Sequence, residues 1–435
     1  TFMKIGILGF GHVASATVKA MMSNRDLIAS KTDTPLEIVK LATRTVTRAT
    51  NRVPPGCEVT DDCWAVVNDP EIDIVIELIG GTTLAKELVM RAISNGKHVI
   101  TANKALLAYC GEEIMALADQ YGVCVLFEAA VAVSIPIIKT LKSSAAANHV
   151  TSVVGILNGT SNYILSQMSE HGTEFNDALA QAQEKGFAEA DPTLDINGED
   201  AAHKITLLAS LAFGIPIRFD ATCFKGTSGV ERADTQFAKR LGYELKLIAQ
   251  ARLENNKAYV AVAPMLVPET ELLAQVHGSM NGISIAGDLF GSAFFYGSGA
   301  GGKQTSSAIL ADLIELAQHA KPGQSAGTPN LGFKKAALKP IEYLLPHERS
   351  SQFYLRLRVE DKVGVLAEVS TIFANAEVSL STLLQDESEQ GLTDLIATTH
   401  VTSWAQLQSI LPALQQASAV GQPVIVYTIL DEHPA

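Results

Sequence analysis

Seven residues near the start of the chain, KIGILGF (4–10), constrain the fold more than any other stretch. They are short, apolar and closed by a glycine turn, the pattern of a strand buried on both faces of a parallel sheet. Residues 12–23 follow with helical periodicity. IVKLAT (38–43), IDIVIELIG (72–80), HVITANK (98–104) and VCVLFEAAV (123–131) repeat the strand pattern. Between the later strands lie LAKELVMRAISNG, a helix with Gly96 as its C-cap, and a helical stretch at 112–121. Strands alternating with helices dictate parallel βαβ units, so residues 1–135 are expected to form a doubly wound α/β domain.

GFGHVA (9–14) closes the first strand and opens the first helix. Gly9 permits the tight turn, and Gly11 lets the backbone approach a pyrophosphate. Ala14 stands where a third glycine is usual and is still small enough for close helix–strand packing. With Phe10, His12 and Val13 the turn is expected to hold a dinucleotide whose pyrophosphate sits on the helix N-terminus. The end of the second strand discriminates between nicotinamide cofactors. LATRTVTR puts Arg44 and Arg48 where an acidic residue would bind a free ribose hydroxyl, and arginine suits a 2′-phosphate. NADP is therefore expected, with NAD as the alternative. Gly80, Thr82 and Thr101 fall at the carboxyl ends of the next two strands, where the same ligand would lie.

After Pro136 the pattern changes. Residues 137–147 read as helix and 150–158 as strand. Three helical stretches then run to Gly214, and 248–263 and 279–296 alternate like antiparallel strands. Residues 136–320 are read as an α+β substrate and dimerisation domain. Residues 321–350 carry Pro322, Pro329, Pro340 and Pro346, which suits a linker or an irregular return segment. Residues 351–435 hold strands at 353–360, 378–385, 393–400 and 423–430, with helices at 364–375 and 403–417.

Three stretches hold polar residues that a scaffold does not need. TANK (101–104) ends a strand, so Lys104 is expected to point at the cofactor's reactive end. LNGTSNYI (157–164) puts Asn158, Gly159 and Thr160 in a turn before a helix. There Thr160 or Ser161 is the expected cap, and a free helix N-terminus is suited to a carboxylate. KGFAEADPTLDINGEDAAHK (185–204) is the richest, with Glu189, Asp191, Asp195, Glu199 and Asp200 after Glu184. Such acidity in one loop wants a cation or an ammonium group. Asp200 and Lys204 are four apart and share a helix face, although Asn197 with Asp200 also matches a capping box. Lys204 opens an otherwise apolar helix, where desolvation lowers a lysine's pKa toward use as a proton donor. The pieces fit hydride transfer to an aldehyde with a lysine protonating the alkoxide.

From GFGHVA to GSGAGGKQTSSA (297–308) the chain resembles homoserine dehydrogenase, most specifically in GFAEADPTLDINGEDAAHK. The resemblance implies reversible reduction of aspartate 4-semialdehyde to homoserine. Glu189, Asp195 and Asp200, with Asn158, Gly159, Thr160 and Gly186, would bind substrate, Lys204 would donate the proton and Lys104 would be a second catalytic lysine. FEAAVAVSIPII (127–138) is similar to the family's monovalent-cation segment, which implies Glu128 and the carbonyls of Val131, Val133 and Ile135 around a sodium ion. Gly299 and Gly301 would return to the cofactor. Ala14 and Ser298 depart from the family pattern. RVEDKVGVLAEVSTIFANAEVSLSTLLQ (358–385) resembles an ACT domain, the ferredoxin-like effector module. Gly364 would free a helix N-terminus for an amino acid, threonine being the expected effector. The expected architecture is therefore a Rossmann-type sheet, an α+β domain and a C-terminal ACT domain.

The bulk numbers exclude other classes. A net charge of -13 argues against nucleic-acid or membrane-surface binding. Five scattered cysteines fit neither a metal site nor a disulfide framework and suit a reducing cytoplasm. No apolar run reaches the ~20 residues of a membrane span, and the chain goes straight into a strand, with no leader expected. A homodimer or homotetramer is expected. A dehydrogenase for another small aldehyde, or a non-catalytic NADP- and amino-acid-binding sensor, are the competing readings. The first would lack the acidic loop and the second the two lysines.

Overall fold

The computed structural model describes residues 2–419 and 421–431. Its first sheet is made of β1 (Met3–Leu8), β2 (Leu36–Ala42), β3 (Glu58–Thr60), β4 (Ile74–Glu77), β5 (His98–Thr101) and β6 (Val125–Leu126). All are parallel, in the order β3-β2-β1-β4-β5-β6, the doubly wound arrangement with its switch point between β1 and β4. β4 and β5 are buried at every position, as central parallel strands must be. Helix packing is close on this sheet: a side chain at Gly6 would lie 2.5 Å from Val66. β3, with the short helices Arg25–Ala29 and Cys63–Val67, was not expected from the sequence. The strand expected at 123–131 stops at Leu126, and the helix expected at 112–121 starts at Lys104. Asn103 caps that helix, its Oδ1 accepting from Leu106 N at 3.0 Å, which puts Lys104 in its first turn.

The second sheet is built of β7 (Val150–Ile156), β8 (Cys223–Phe224), β9 (Tyr243–Glu254), β10 (Lys257–Pro268), β11 (Met280–Gly287), β12 (Gly291–Ser298), β13 (Ser350–Glu360), β14 (Leu380–Gln385), β15 (Leu392–Thr399), β16 (Thr402–Ser403) and β17 (Ile425–Ile429). Its main path runs β12-β11-β7-β9-β10-β17-β13-β15-β14. The last four strands have the ferredoxin-like order, with helices Val365–Asn375 and Trp404–Ala417 packed over them. β17 also pairs with β10, in parallel, matching Met265 to Thr428 and Leu266 to Ile429. The C-terminal unit therefore continues the sheet of the middle one.

Its first strand is buried from both sides. Phe353, Leu355 and Leu357 face the unit's own helices, while Tyr354 and Arg356 face helix Arg232–Arg240. The Gly302–His319 helix, at the end of the 136–320 span, packs back against helix His12–Ser23 on the first sheet. Residues 321–350 are anchored rather than free. Asn330 Oδ1 accepts from Val125 N at 2.9 Å, His98 Nε2 lies 2.8 Å from Lys321 O, and Leu331 is buried.

Candidate active site

Two helix N-termini meet at the carboxyl edge of the first sheet. Gly9 sits at φ +99°, and a Cβ there would be 2.9 Å from Leu78 O, so only glycine fits the turn. Gly11 caps helix His12–Ser23 and faces open space. Gly301, at φ +122°, caps helix Gly302–His319, and a Cβ on Gly302 would lie 3.7 Å from His12 O. Both positive helix ends thus converge on one opening, which favours an anion. The Phe10 side chain points away into the core, so only its backbone can meet a ligand there, and Ala14 is buried beneath the helix. Arg44 and Arg48 are exposed just past β2, and neither has an ion-pair partner among the described residues. Thr82 is exposed beside Gly80 and Gly81, which have φ of 73° and 78°.

From this opening a cleft of about 990 Å³ runs between the two sheets. Its lining includes Val13, Gly80, Lys104, Asn158, Gly159, Thr160, Gly186, Glu189, Asp195, Asp200, Lys204, Gly299 and Gly301. The 101–104, 157–160 and 185–204 stretches, far apart in sequence, therefore share one wall of space. Asp200 is the hub. Its Oδ1 is 2.9 Å from Lys104 Nζ and its Oδ2 is 2.8 Å from Lys204 Nζ. Asn158 Nδ2 donates to Asp200 Oδ2 at 2.9 Å and to Asp195 Oδ1 at 2.8 Å. The capping-box alternative for Asp200 is therefore not realised; Gly198 caps that helix and the carboxylate serves the lysines. The helix after 158 is capped by Asn158, whose Oδ1 accepts from Ser161 N at 2.8 Å. Neither Thr160 nor Ser161 caps it. Thr160 instead donates to Phe187 O, tying the acidic loop down.

The charges are set by this packing. Burial pushes the Asp200 carboxyl up, but Lys204 and Lys104 outweigh it and hold the group well below the usual carboxylate range. Burial also lowers Lys204 below the ordinary lysine value, against the pull of Asp200. Lys104 is raised, because Asp200 acts on it more strongly than its own desolvation does. Burial, with Asp200 nearby, raises Asp195. Lys204 Nζ also donates to Leu157 O at 2.7 Å. An ammonium has three N–H donors, so one remains for the cleft. Glu189 is exposed at the mouth, with no ion pair among the described residues. Gly159 is required by close approach: a Cβ there would be 2.5 Å from Ser279 O.

Several site residues escaped the sequence reading. Glu77 ends β4 fully buried and accepts from Thr101 Oγ1 at 2.7 Å and from Gly80 N at 3.1 Å. Burial raises its pKa against those bonds. The Thr101 hydroxyl is thereby committed to Glu77 rather than free for a ligand. A carboxylate inside an apolar strand was the available signal. His203 lines the cleft almost fully buried, 3.5 Å from Glu199 Oε1 without a hydrogen bond, among the rings of Tyr109 and Phe219.

The expected cation segment, residues 127–138, contributes no residue to the cleft lining. Glu128 is 3 % exposed; its Oε2 accepts from Lys139 N at 2.9 Å and its Oε1 has no partner among the described residues. Burial, then Asp312, pushes its carboxyl up to about 8. Val133 is held at φ +27°, a strained value for a β-branched residue. The Ile135 carbonyl accepts from Ile137 N at 2.8 Å. A buried carboxylate oxygen with no partner among the described residues is the feature here that suits a cation.

A doubly wound sheet with two helix N-termini at one opening that leads to a lysine–aspartate–lysine cluster defines a nicotinamide-nucleotide-dependent oxidoreductase, here carrying a ferredoxin-like C-terminal unit. Comparison with known proteins narrows this. Residues 9–128 match the family described as homoserine dehydrogenase, NAD binding domain; residues 136–314 match homoserine dehydrogenase; residues 353–419 match the ACT domain. A homoserine dehydrogenase of Pseudomonas aeruginosa is 41% identical over 430 residues, covering 97% of this chain and 98% of its own. One of Bacillus subtilis is 33% identical over 431 residues, covering 98% of each chain. The crystal structure of a homoserine dehydrogenase from Thiobacillus denitrificans superposes with a TM-score of 0.91 at 40% identity, covering 99% of both chains. A hyperthermophilic archaeal homoserine dehydrogenase in complex with NADPH shares the fold at a TM-score of 0.62 and 24% identity, covering 72% of this chain and 97% of its own. The chain belongs to the homoserine dehydrogenase family.

Proposed function

We propose that the chain catalyses the reversible reduction of L-aspartate 4-semialdehyde to L-homoserine with NADP, NAD being the second cofactor, in the synthesis of threonine and methionine. The observation that carries this is Asp200 between Lys104 and Lys204 in a cleft that leads to the GFGHVA turn. The bound cofactor supplies or receives the hydride. The chain's own task is to bind, orient and move a proton. Lys204, its pKa lowered by burial, gives its proton to the developing alkoxide oxygen, and in the reverse direction takes it from the hydroxyl. Asp200 holds both lysines in place. Glu189 and Asp195 receive the substrate ammonium, and the N-terminus at Gly159 and Thr160 receives its carboxylate. Gly186, at φ +77°, lets the acidic loop close over that end. Arg44 supports NADP: it is exposed, with no ion-pair partner among the described residues, at the β2 end, where a 2′-phosphate would lie. The NADPH named with the archaeal relative agrees with it. Turnover of L-homoserine with NADP, then NAD, tests the reading. No turnover with either from folded protein moves the assignment to another aldehyde.

Three further assignments rest on the same reading. Glu128, with the carbonyls of Val131, Val133 and Ile135, holds sodium or another monovalent cation. Raising sodium at constant ionic strength against choline should raise the Tm of the unsubstituted chain and leave Glu128→Ala unmoved; an equal rise in both would remove the site. Threonine binds at the turn Asp361–Leu366 of the ACT unit and inhibits. Gly364 there is at φ +96° before helix Val365–Asn375, and Val363 is fully exposed. Threonine without effect on turnover or Tm would contradict it. The chain forms a homodimer or homotetramer, consistent with edge strand β12 and its exposed Tyr296. Sedimentation as a monomer would oppose this. Five unpaired thiols agree with a reducing cytoplasm, and no helix of the described residues is long and apolar enough to cross a membrane.

A further inference from the structure

Asn281, on β11, is fully buried, and neither its Oδ1 nor its Nδ2 has a hydrogen-bond partner among the described residues. Native folds keep few such groups, because an idle buried amide costs stability that an apolar residue would not. The residue's place in the sheet says where the amide looks. It alternates with Ile283, which lies in the same core cluster as the buried residues of helix Gly159–His171, the helix that packs on β11, so both point to the helix-covered face where the cleft lies. Gly299 sits directly over the amide: a Cβ on Gly299 would be 2.1 Å from Asn281 Nδ2 and 2.5 Å from Oδ1.

Ser298, Gly299, Ala300 and Gly301 all line the cleft. The turn is tied at its ends and at Ala300, whose O accepts from Ser298 Oγ at 2.8 Å, which leaves Gly299 as its loose residue. Ser298 O accepts from Ser134 N at 3.3 Å and from Ser134 Oγ at 2.5 Å. Gly301 O accepts from Thr305 N at 2.9 Å and Thr305 Oγ1 at 2.7 Å. Gly299 has no hydrogen bond of its own among the described residues. An amide with two donors and one acceptor group thus lies beneath a free peptide, in contact but unbonded.

We propose that Asn281 is the positioning residue of the Ser298–Gly301 turn: when the dinucleotide enters the cleft, Gly299 moves off the amide, and Asn281 then bonds the turn's backbone and holds it against the cofactor. This rests on the reading of the cleft as a nicotinamide-nucleotide site. The turn is pinned at Ser298, Ala300 and Gly301, so the movement is confined to Gly299. Glycine at 299 is required in the resting position, where no Cβ fits, and the amide is required in the bound one.

The test substitutes Asn281→Val, close in volume and suited to a strand, and Asn281→Thr as a second variant. NADPH binding is titrated by its fluorescence without substrate, alongside Tm and amide hydrogen exchange over 297–302. The expected result is a Tm equal to or above that of the unsubstituted chain, a Kd for NADPH weakened at least tenfold, and loss of the NADPH-induced slowing of exchange in that segment. An unchanged Kd with unchanged exchange overturns the proposal. So does a fall of several degrees in the Tm of both variants, since the amide would then be supporting the resting fold. Failure of the unsubstituted chain to bind NADPH or NADH would overturn the nucleotide reading as well, and is told apart by arising without any substitution.

Discussion

A carboxylate that touches two lysines at 2.9 and 2.8 Å decides the chemistry of the cleft. Lysine in the first turn of a helix is unfavourable, since it adds positive charge to the positive end. Lys104 occupies such a position, and Asp200 is what makes it tolerable. Lys204 is the better proton donor, because it is 8 % exposed and lowered by burial, whereas Lys104 is 36 % exposed and raised. Replacing Lys204 by Met should lower kcat by roughly 10²–10⁴-fold, the range for one general acid or base; steady-state rates within threefold of the unsubstituted chain would remove it from the mechanism. Asp200→Asn takes away the charge that opposes desolvation at Lys204, so its pKa falls further. Homoserine oxidation needs the lysine neutral and rises with pH through that pKa. The pH–rate curve for oxidation should therefore move to lower pH in Asp200→Asn, and a move to higher pH would count against the assignment.

At the scale of elements, the joint between the middle and C-terminal units is polar and sealed. Asp234, on helix Arg232–Arg240 and fully buried, accepts from Tyr354 Oη at 2.7 Å, from Arg356 Nε at 2.7 Å and from Arg356 Nη2 at 3.1 Å. Arg356 also reaches Glu231 at 2.6 Å and Asp394 at 3.4 Å. Burial raises the Asp234 carboxyl against the hold of Arg356. Breaking such a pair leaves a buried charge unmatched, at a cost of about 3–5 kcal/mol. Asp234→Ala should destabilise by that order in thermal or denaturant unfolding; a change under about 1 kcal/mol would show that the joint is wet and exchangeable.

At the scale of the molecule, what was legible followed from local sequence. KIGILGF with GFGHVA announced a buried strand, a turn and a helix because each needs only neighbouring residues. The 185–204 loop announced acidity that a solvated surface does not concentrate. Legibility ended where partners are distant. Glu77 and Thr101 bond across 24 residues, and Tyr109 donates to Glu199 across 90, because adjacent strands and helices bring them together. The i,i+4 spacing of Asp200 and Lys204 was legible, but Lys104 joins Asp200 only when helix Lys104–Tyr121 packs against helix Glu199–Phe213. The pairing of β10 with β17 leaves no local trace at all, so the C-terminal unit read as separate although it continues the same sheet.

The most direct measurement is the reduction of NADP by L-homoserine, followed through the absorbance of reduced nicotinamide, with the unsubstituted chain and Lys204→Met side by side. The account predicts turnover by the first and a loss of at least about 10²-fold in the second, with Tm little changed. Folded, unsubstituted protein that turns over homoserine with neither NADP nor NAD would contradict it, as would a Lys204→Met chain as active as the original.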